Sequence, residues 1–403
     1  VLVFPGYLPA EQRFDTKAPA FQTQEGILQV SPLLPFMLPT SRKNVLPYAQ
    51  HANLTIERQL FSDVSVSVGY LFVKGTHLNR PREINPPLVP LLLRNRDRAV
   101  QLGLLPPGTN PLQVTVFDPV SSIVPTAFFN FFRPSGPNFA LLQRAGIGRE
   151  QALQIARALG LPQGPGVFIP YAQIILQETA GNSTHHGFSL NINKRYSRHV
   201  QLLLSYTLSK TIDDSTDLQS QLIPQDSFRA DLERSLSNFD QRHRFVLSGV
   251  FQSPYRRSDS GFWRKVLADF TFAPILELSS GRPFTIYLGQ DNNFDTSPFN
   301  DRPNLVGPPT RERPFGVFAV PPEGQIGNLG RNTGMRPGFA SLDIRLTRSF
   351  FLTERWRLDA IFEMFNSFNR VNVSDVSNNF LTAGQPTAAF DPRQIQLALK
   401  LIF

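Results

Sequence analysis

Residues 62–74 read Ser-Asp-Val-Ser-Val-Ser-Val-Gly-Tyr-Leu-Phe-Val-Lys. In an extended chain Val64, Val66, Val68, Tyr70 and Phe72 share one face, and Ser65, Ser67 and Gly69 share the other, because successive side chains of a strand point to opposite sides. An alternating run of about ten residues is what a tilted strand needs to cross a bilayer. The stretch just before it repeats the pattern, with Leu54, Ile56 and Leu60 set against Thr55, Glu57 and Gln59.

The same period returns along the chain. Phe188, Leu190 and Ile192 oppose Ser189, Asn191 and Asn193; Val200, Leu202, Leu204, Tyr206 and Leu208 oppose Gln201, Ser205, Thr207 and Ser209. Further strands are expected over 243–252, 269–288 (bent at Ser280-Gly281), 340–350 and 355–365. The last sets Ile395, Leu397, Leu399, Leu401 and Phe403 against Gln394, Gln396 and Lys400. That makes nine strands, with a tenth expected near 27–30 in the Pro-rich segment 1–50.

Alternation alone also fits a soluble β-sandwich, whose apolar faces turn into a core. Two features favour lipid. The polar faces mix small and charged groups (Asp343 and Arg345; Arg355, Arg357, Asp359 and Glu363), as a wet lumen requires. The chain also ends on Phe403, in phase with Leu399 and Leu401. A terminal strand of this kind is expected to serve as the signal read by the outer-membrane barrel assembly machinery.

The connections test this independently. Short links are expected at 61–63, 196–197, 253–268 and 351–354, and long ones at 75–183, 210–240, 289–338 and 366–391. Short and long alternate strictly, as periplasmic turns and extracellular loops do. Within the first long loop, 149–159 reads as a short helix stopped by Gly160 and Pro162.

Composition narrows the remaining classes. The 403 residues include no Cys, so disulfides and thiolate metal sites are excluded. The formal charge of +9 suggests an acidic partner such as lipopolysaccharide, but no Lys/Arg block of five or more and no nucleic-acid motif accompanies it. No apolar run approaches the ~18 residues of a membrane helix, so a spanning chain must be a closed barrel. The chain opens at Val1 without Met or a signal sequence, which reads as a fragment or processed product.

Several motifs go further. Ser205-Tyr-Thr-Leu-Ser-Lys-Thr-Ile-Asp-Asp214, Asp240-Gln-Arg-His-Arg-Phe-Val246, Ser280-Gly-Arg-Pro-Phe284, Arg302-Pro-Asn304, Asn328-Leu-Gly-Arg-Asn332, Arg336-Pro-Gly-Phe339 and Phe365-Asn-Ser-Phe-Asn369 occur in this order. Over 180–403 they resemble the C-terminal barrel of Oar-like TonB-dependent receptors. That resemblance implies an all-β, antiparallel transmembrane barrel of which these nine or ten strands are part of about 22. It also implies energised import of a substrate caught by extracellular loops. Contact with the TonB complex would be made through an N-terminal plug and motor-contact segment not recognisable here. The family implies no catalytic residue and no cofactor.

Read physically, Asp240, Arg242, His243 and Arg244 stand where a loop re-enters the wall and are expected to anchor it by ion pairs and hydrogen bonds. Phe365 and Phe368 suit a membrane interface, and Asn366 and Asn369 suit a turn. Asp213, Asp214 and Asp217 lack the Gly and terminal Glu of an EF-hand calcium loop. His185-His186 lacks zinc spacing, and no Gly-x-Ser-x-Gly elbow occurs. The readings that compete with a transporter wall are a passive pore, an outer-membrane barrel enzyme using His243 with Asp240, and an adhesive β-sandwich.

Overall fold

The computed structural model describes residues 38–84, 86, 89–101, 107–108, 175–215, 223–255, 259–295, 297, 299–353 and 355–403. Nine strands form one antiparallel sheet in chain order: β1 Tyr48–Phe61, β2 Val64–Glu83, β3 Ile175–Ser197, β4 Val200–Asp213, β5 His243–Gln252, β6 Phe270–Ser279, β7 Phe339–Phe351, β8 Arg357–Phe365 and β9 Gln394–Ile402. The barrel is not closed: β1 and β9 are the two edges of the sheet. No second sheet packs on it face to face; the other sheets among the described residues have two strands each. The sandwich reading therefore fails.

Register is fixed by the alternation. Val66, Ile192, Leu204, Leu247, Leu276 and Leu342 stand opposite one another across six successive strands. One step along, Ser67, Asn191, Ser205, Val246, Glu277 and Ser341 form the neighbouring row. Slipping any strand by one residue would put its polar set in the aliphatic row. The second row is also bonded laterally: Ser205 Oγ donates to Asn191 Oδ1 at 2.8 Å, and Asn191 Nδ2 donates to Ser67 Oγ at 3.4 Å. The apolar face continues to the last strand, where Leu397 and Leu399 are about three-quarters exposed. Such exposure of large aliphatics along a whole face is an outward, lipid-facing surface.

At the end carrying the short links, aromatics gather on this face. Trp356 stacks on Phe403 with centroids 5.4 Å apart, Phe251 meets Phe272 at 6.1 Å, and Arg348 lies over the Phe270 and Phe350 rings. This is an interfacial belt. Lys194 reaches Asp63 at 2.8 Å across neighbouring turns, and with Ser197 it holds the Asp63 carboxyl down to about 2.

Several expected boundaries change. The strand expected over 269–288 stops at Ser279. A Cβ on Gly281 would overlap the Arg336 carbonyl, and Pro283-Phe284 leaves the wall to pair with Gly334-Met335. The 75–183 loop is shorter than expected, because β2 runs to Glu83 and β3 starts at Ile175. Here neither face meets lipid, Arg80 pairs with Glu178, and Glu83 and Ile175 are buried, so the ladder continues after the hydrophobic period has ended. The link 253–268 holds a helix at Phe262–Val266, and another helix, Val89–Gln101, lies in the first long loop. The helix expected at 149–159 and the strand expected at 27–30 lie outside the described residues. The later loops are folded too: Ser235–Leu236 adds to β4, Asn304–Gly307 pairs Val317–Ala319, and Val373–Val376 pairs Pro386–Ala389.

These loops share a small apolar core of Phe284, Ile286, Leu329 and Val376, packed by Phe315, Phe318 and Phe380. They form a layer above the long-loop end of the sheet.

The assignment of faces is testable. Leu204→Arg near mid-membrane should lower folding stability in bilayers by roughly 2–4 kcal/mol, whereas Ser205→Arg on the next position should change it little. Equal tolerance in a urea titration of bilayer-folded protein would refute the facing.

Candidate functional site in the loop layer

Local geometry brings the quoted motifs together at the long-loop end. Arg302 is 3% exposed; its guanidinium grips both Glu233 carboxylate oxygens, at 2.8 and 2.9 Å, and its Nε donates to the Leu329 carbonyl. Arg331 donates to the backbone oxygens of Glu233 and Asp213, both at 2.8 Å, and also pairs with the Asp213 carboxylate. Asp213 ends β4, so Arg331 ties the loop layer to the wall. Asn332, held at φ +56°, exchanges bonds with Thr285 and donates to the Leu236 carbonyl at 2.6 Å. Two loops, the one between β4 and β5 and the one between β6 and β7, thus meet on one buried polar centre. Bidentate geometry and the extra carbonyl bonds are what make such burial tolerable.

Next to this centre lie a cavity of about 80 Å³, bordered by Gln225, Glu233, Asn300 and Arg302, and an open cleft of about 700 Å³. The cleft is lined by Phe239, Arg282, Phe284, Tyr287, Arg336 and Asp375. Arg336 pairs with Asp375 at 3.0 Å and lies 5.9 Å above the Phe284 ring. Burial pushes the Tyr287 phenol above its ordinary range. Guanidinium groups beside aromatic faces give this cleft the chemistry to hold a polar ligand with acidic or planar groups. Among the described residues no group of His, Asp and Glu has metal-holding geometry. Asp213 faces Arg331, and Asp214 accepts from the Asn182 backbone at 2.7 Å; Asp217 lies outside the described residues.

The four charged residues at the start of β5 do not form one cluster. Asp240 is 2% exposed and accepts from the Thr211 backbone at 2.6 Å, with Arg242 3.7 Å away. His243 meets Tyr206 at 2.9 Å on the outward face, while Arg244 pairs with Glu277 on the inward face. Strand alternation separates them, and it also removes His243 from Asp240 as a catalytic pair. His185 and His186 are split in the same way, to Thr211 and to Tyr70.

Asn366 and Asn369 have φ of +47° and +50°. Asn366 is buried, takes its backbone bond to Asp343 at 2.8 Å, and donates to the Arg370 and Asp391 carbonyls; the Asn369 backbone donates to the Asn366 carbonyl at 2.7 Å. Phe365 and Phe368 remain exposed beside this turn. Leu399, Leu401 and Phe403 are exposed on the outward face of β9. Glu233 and Tyr287 carried no signal in the sequence, since Glu233 lies 69 positions from Arg302.

An open antiparallel wall with one lipid-facing side and folded loops at one end defines an outer-membrane β-barrel protein. Residues 6–396 match the family described as outer membrane beta barrel domain, and the chain belongs to that family. No curated protein matches it. Solved structures that align with it include the outer membrane transporter YddB from Escherichia coli (9% identity, 91% of this chain, 34% of that one, TM-score 0.44). Others are the ferric-catecholate import receptor Fiu from E. coli K12 (9%, 91%, 30%, 0.40) and the pyoverdine receptor FpvA from Pseudomonas aeruginosa PAO1 (11%, 89%, 30%, 0.39). The chain spans about a third of the length of these proteins.

Glu233→Ala should leave Arg302 without its carboxylate in a buried site and destabilise the loop layer by about 3–5 kcal/mol. Limited proteolysis should then cut within 289–338 while the wall keeps its heat-modifiable migration on gels. Loops as protected as in the native protein would show that this centre does not organise them.

A pH effect follows from Asp301. Burial raises its carboxyl to about 6, and Asp295 is raised in the same way. The stability that Asp301 contributes is full below the ordinary carboxylate value near 3.8 and is lost as pH rises through about 6, and Asp295 acts in the same sense. Hydrogen exchange of the 291–301 backbone should therefore speed up, after correction for intrinsic rates, between pH 4 and pH 7. Asp301→Asn should flatten that slope; an unchanged slope would refute the assignment.

Proposed function

We propose that this chain supplies part of the wall and the ligand-facing loops of an energised outer-membrane receptor of the Oar-like TonB-dependent type. The observation that carries this reading is the loop layer: a folded, arginine-bearing cleft held over the polar face of an open nine-strand arc. A passive pore needs its mouth open, whereas these loops are locked to one another by Arg302, Glu233 and Arg331. The family resemblance makes the arc part of a circumference of about 22 strands, the number outer-membrane transporters use. A plug and a TonB-contact segment would belong to the same remainder.

In this reading the long loops face outside, and the cleft captures an unidentified substrate there. Asp240, with Arg242 beside it, holds the loop entering β5 while His243 and Arg244 are bound within the wall to Tyr206 and Glu277, and the segment Phe365, Asn366, Phe368 and Asn369 turns the chain out of β8. Leu399, Leu401 and Phe403 present the wall to the barrel assembly machinery. Lipid and lipopolysaccharide surround the outward face.

Uptake by cells carrying the full-length gene tests this. Arg282→Ala with Arg336→Ala should reduce accumulation of the substrate at least about tenfold, the scale of losing one charge-assisted contact, and deleting TonB should abolish accumulation. Uptake that persists without TonB would favour the passive pore. Phe403→Ser should lower the outer-membrane yield and leave protein in the periplasm; an unchanged yield would remove its role in assembly.

A further inference from the structure

Alternation assigns every charge on β2–β6 to a face, and the outward face is sorted by sign. No Asp or Glu occupies its outward positions from Val64 to Thr76 on β2, from Thr184 to Lys194 on β3, or on β4, β5 and β6. Five basic side chains do; Lys194 stands at the short-link end, and the other four gather at the long-loop end: Lys74, His186, Lys210 and His243, each exposed. Lys210 stands directly opposite His186. Lys74 is paired with Thr184, one diagonal step from His186, and His243 is paired with Leu208, one diagonal step from Lys210. Opposite and diagonal neighbours lie within reach of long side chains, so the row covers about 14 Å, three strand spacings.

Two carboxylates at this end of the wall are engaged elsewhere. Asp213 faces Arg331, and Asp240 is buried against the Thr211 backbone. Neither Lys74 nor Lys210 makes an ion pair among the described residues, whereas the outward Lys194 at the opposite end is paired with Asp63. The two histidines share one arrangement. Tyr70 Oη lies 2.7 Å from His186 Nδ1, and Tyr206 Oη lies 2.9 Å from His243 Nδ1. With Nδ1 engaged by a tyrosine, Nε2 is the ring nitrogen left for a ligand, and it is an N–H donor in the charged ring and wherever the tyrosine hydroxyl donates to Nδ1. The row therefore offers two ammonium groups and two imidazole Nε2 positions, with no acidic side chain at the outward positions of these strand segments, above a band of Tyr, Phe and Leu.

We propose that Lys74, His186, Lys210 and His243 form an outward-facing site for the phosphate groups of an anionic glycolipid in the outer leaflet. Its acyl chains would lie along Tyr70, Phe188, Tyr206 and Leu208. A phosphate at the headgroup level meets charge-assisted donors, and the apolar band below selects a lipid over a free ion. The proposal rests on the reading that the long-loop end faces outside.

The test uses the complete receptor in detergent, with native mass spectrometry counting retained lipid after addition of bis-phosphorylated lipid A, dephosphorylated lipid A or inorganic phosphate. The phosphorylated form should be retained about tenfold better, the scale of one charge-assisted hydrogen bond. Lys74→Gln with Lys210→Gln should cut retention to the level of the dephosphorylated form. His186→Phe with His243→Phe, which keeps the aromatic band intact, should weaken it by a smaller factor. Lys400→Gln, on the inward face, should change nothing. Equal retention of the two lipids, or undiminished retention by the lysine variant, would overturn the proposal. So would displacement of the lipid by millimolar inorganic phosphate. Orientation is read separately: Lys74→Cys should react with an impermeant maleimide on intact cells. Labelling without lipid preference would sink this site alone, and labelling only after the periplasm is opened would sink the orientation as well.

Discussion

Every backbone N–H and C=O that enters hydrocarbon must find a partner within the protein, because each one left open costs several kcal/mol. This chain meets that constraint through one antiparallel ladder from Tyr48 to Ile402, each strand bonded to its neighbour in sequence. The ladder leaves side chains only two directions. One is the aliphatic row through Val66, Leu204 and Leu276, and the other is the polar row through Ser67, Ser205 and Glu277. The placement of charge, the aromatic belt and the loop layer all follow from that division. At the sheet's two edges the same constraint stays unmet among the described residues. Exposed edges pair with whatever chain adjoins them, which is why an arc of a larger wall is the natural reading.

The loop layer obeys different physics. Outside the bilayer, water competes for every hydrogen bond, and the loops keep a fixed shape only by burying something. They bury a modest apolar core around Ile286 and a charged centre of Glu233, Arg302 and Arg331. Gly327 shows how close the approach is, since any side chain there would overlap the Arg302 carbonyl. A centre made of charges is sensitive to loss of one partner but restrictive about geometry, which suits loops that must hold a cleft open.

What could be read from the sequence follows the same split. Val64 to Phe72 reveal strand, face and register, because lipid and lumen demand opposite chemistry at adjacent positions. The upper parts of β2 and β3 were not legible, since Asn79 to Glu83 no longer meet lipid: Arg80 pairs with Glu178 and Glu83 is buried beside Ser227, so the hydrophobic period is lost. The strand expected past Ser279 failed because apolar residues continue to Leu288 while the chain has already turned into the loop core. The charged motif from Asp240 to Arg244 was visible as a unit, yet alternation sends His243 outward and Arg244 inward. Arg302 and Arg331 stood within recognisable motifs, but Glu233, which unites them, is distant in sequence and adjacent only once two loops have folded against each other.

The central claim is that one face of this sheet meets lipid and the other meets water. The chain contains no cysteine, so single cysteines can be placed at each position from 200 to 208 in the full-length protein in outer membranes, any cysteine elsewhere in it being replaced by serine. Each would carry a fluorophore, and quenching by a lipid-embedded and by a water-soluble quencher would be compared. The account predicts strict two-residue alternation, with lipid quenching at Leu202, Leu204 and Tyr206 and aqueous quenching at Leu203, Ser205 and Thr207. Uniform aqueous quenching along the strand, or alternation with the opposite phase, would contradict it.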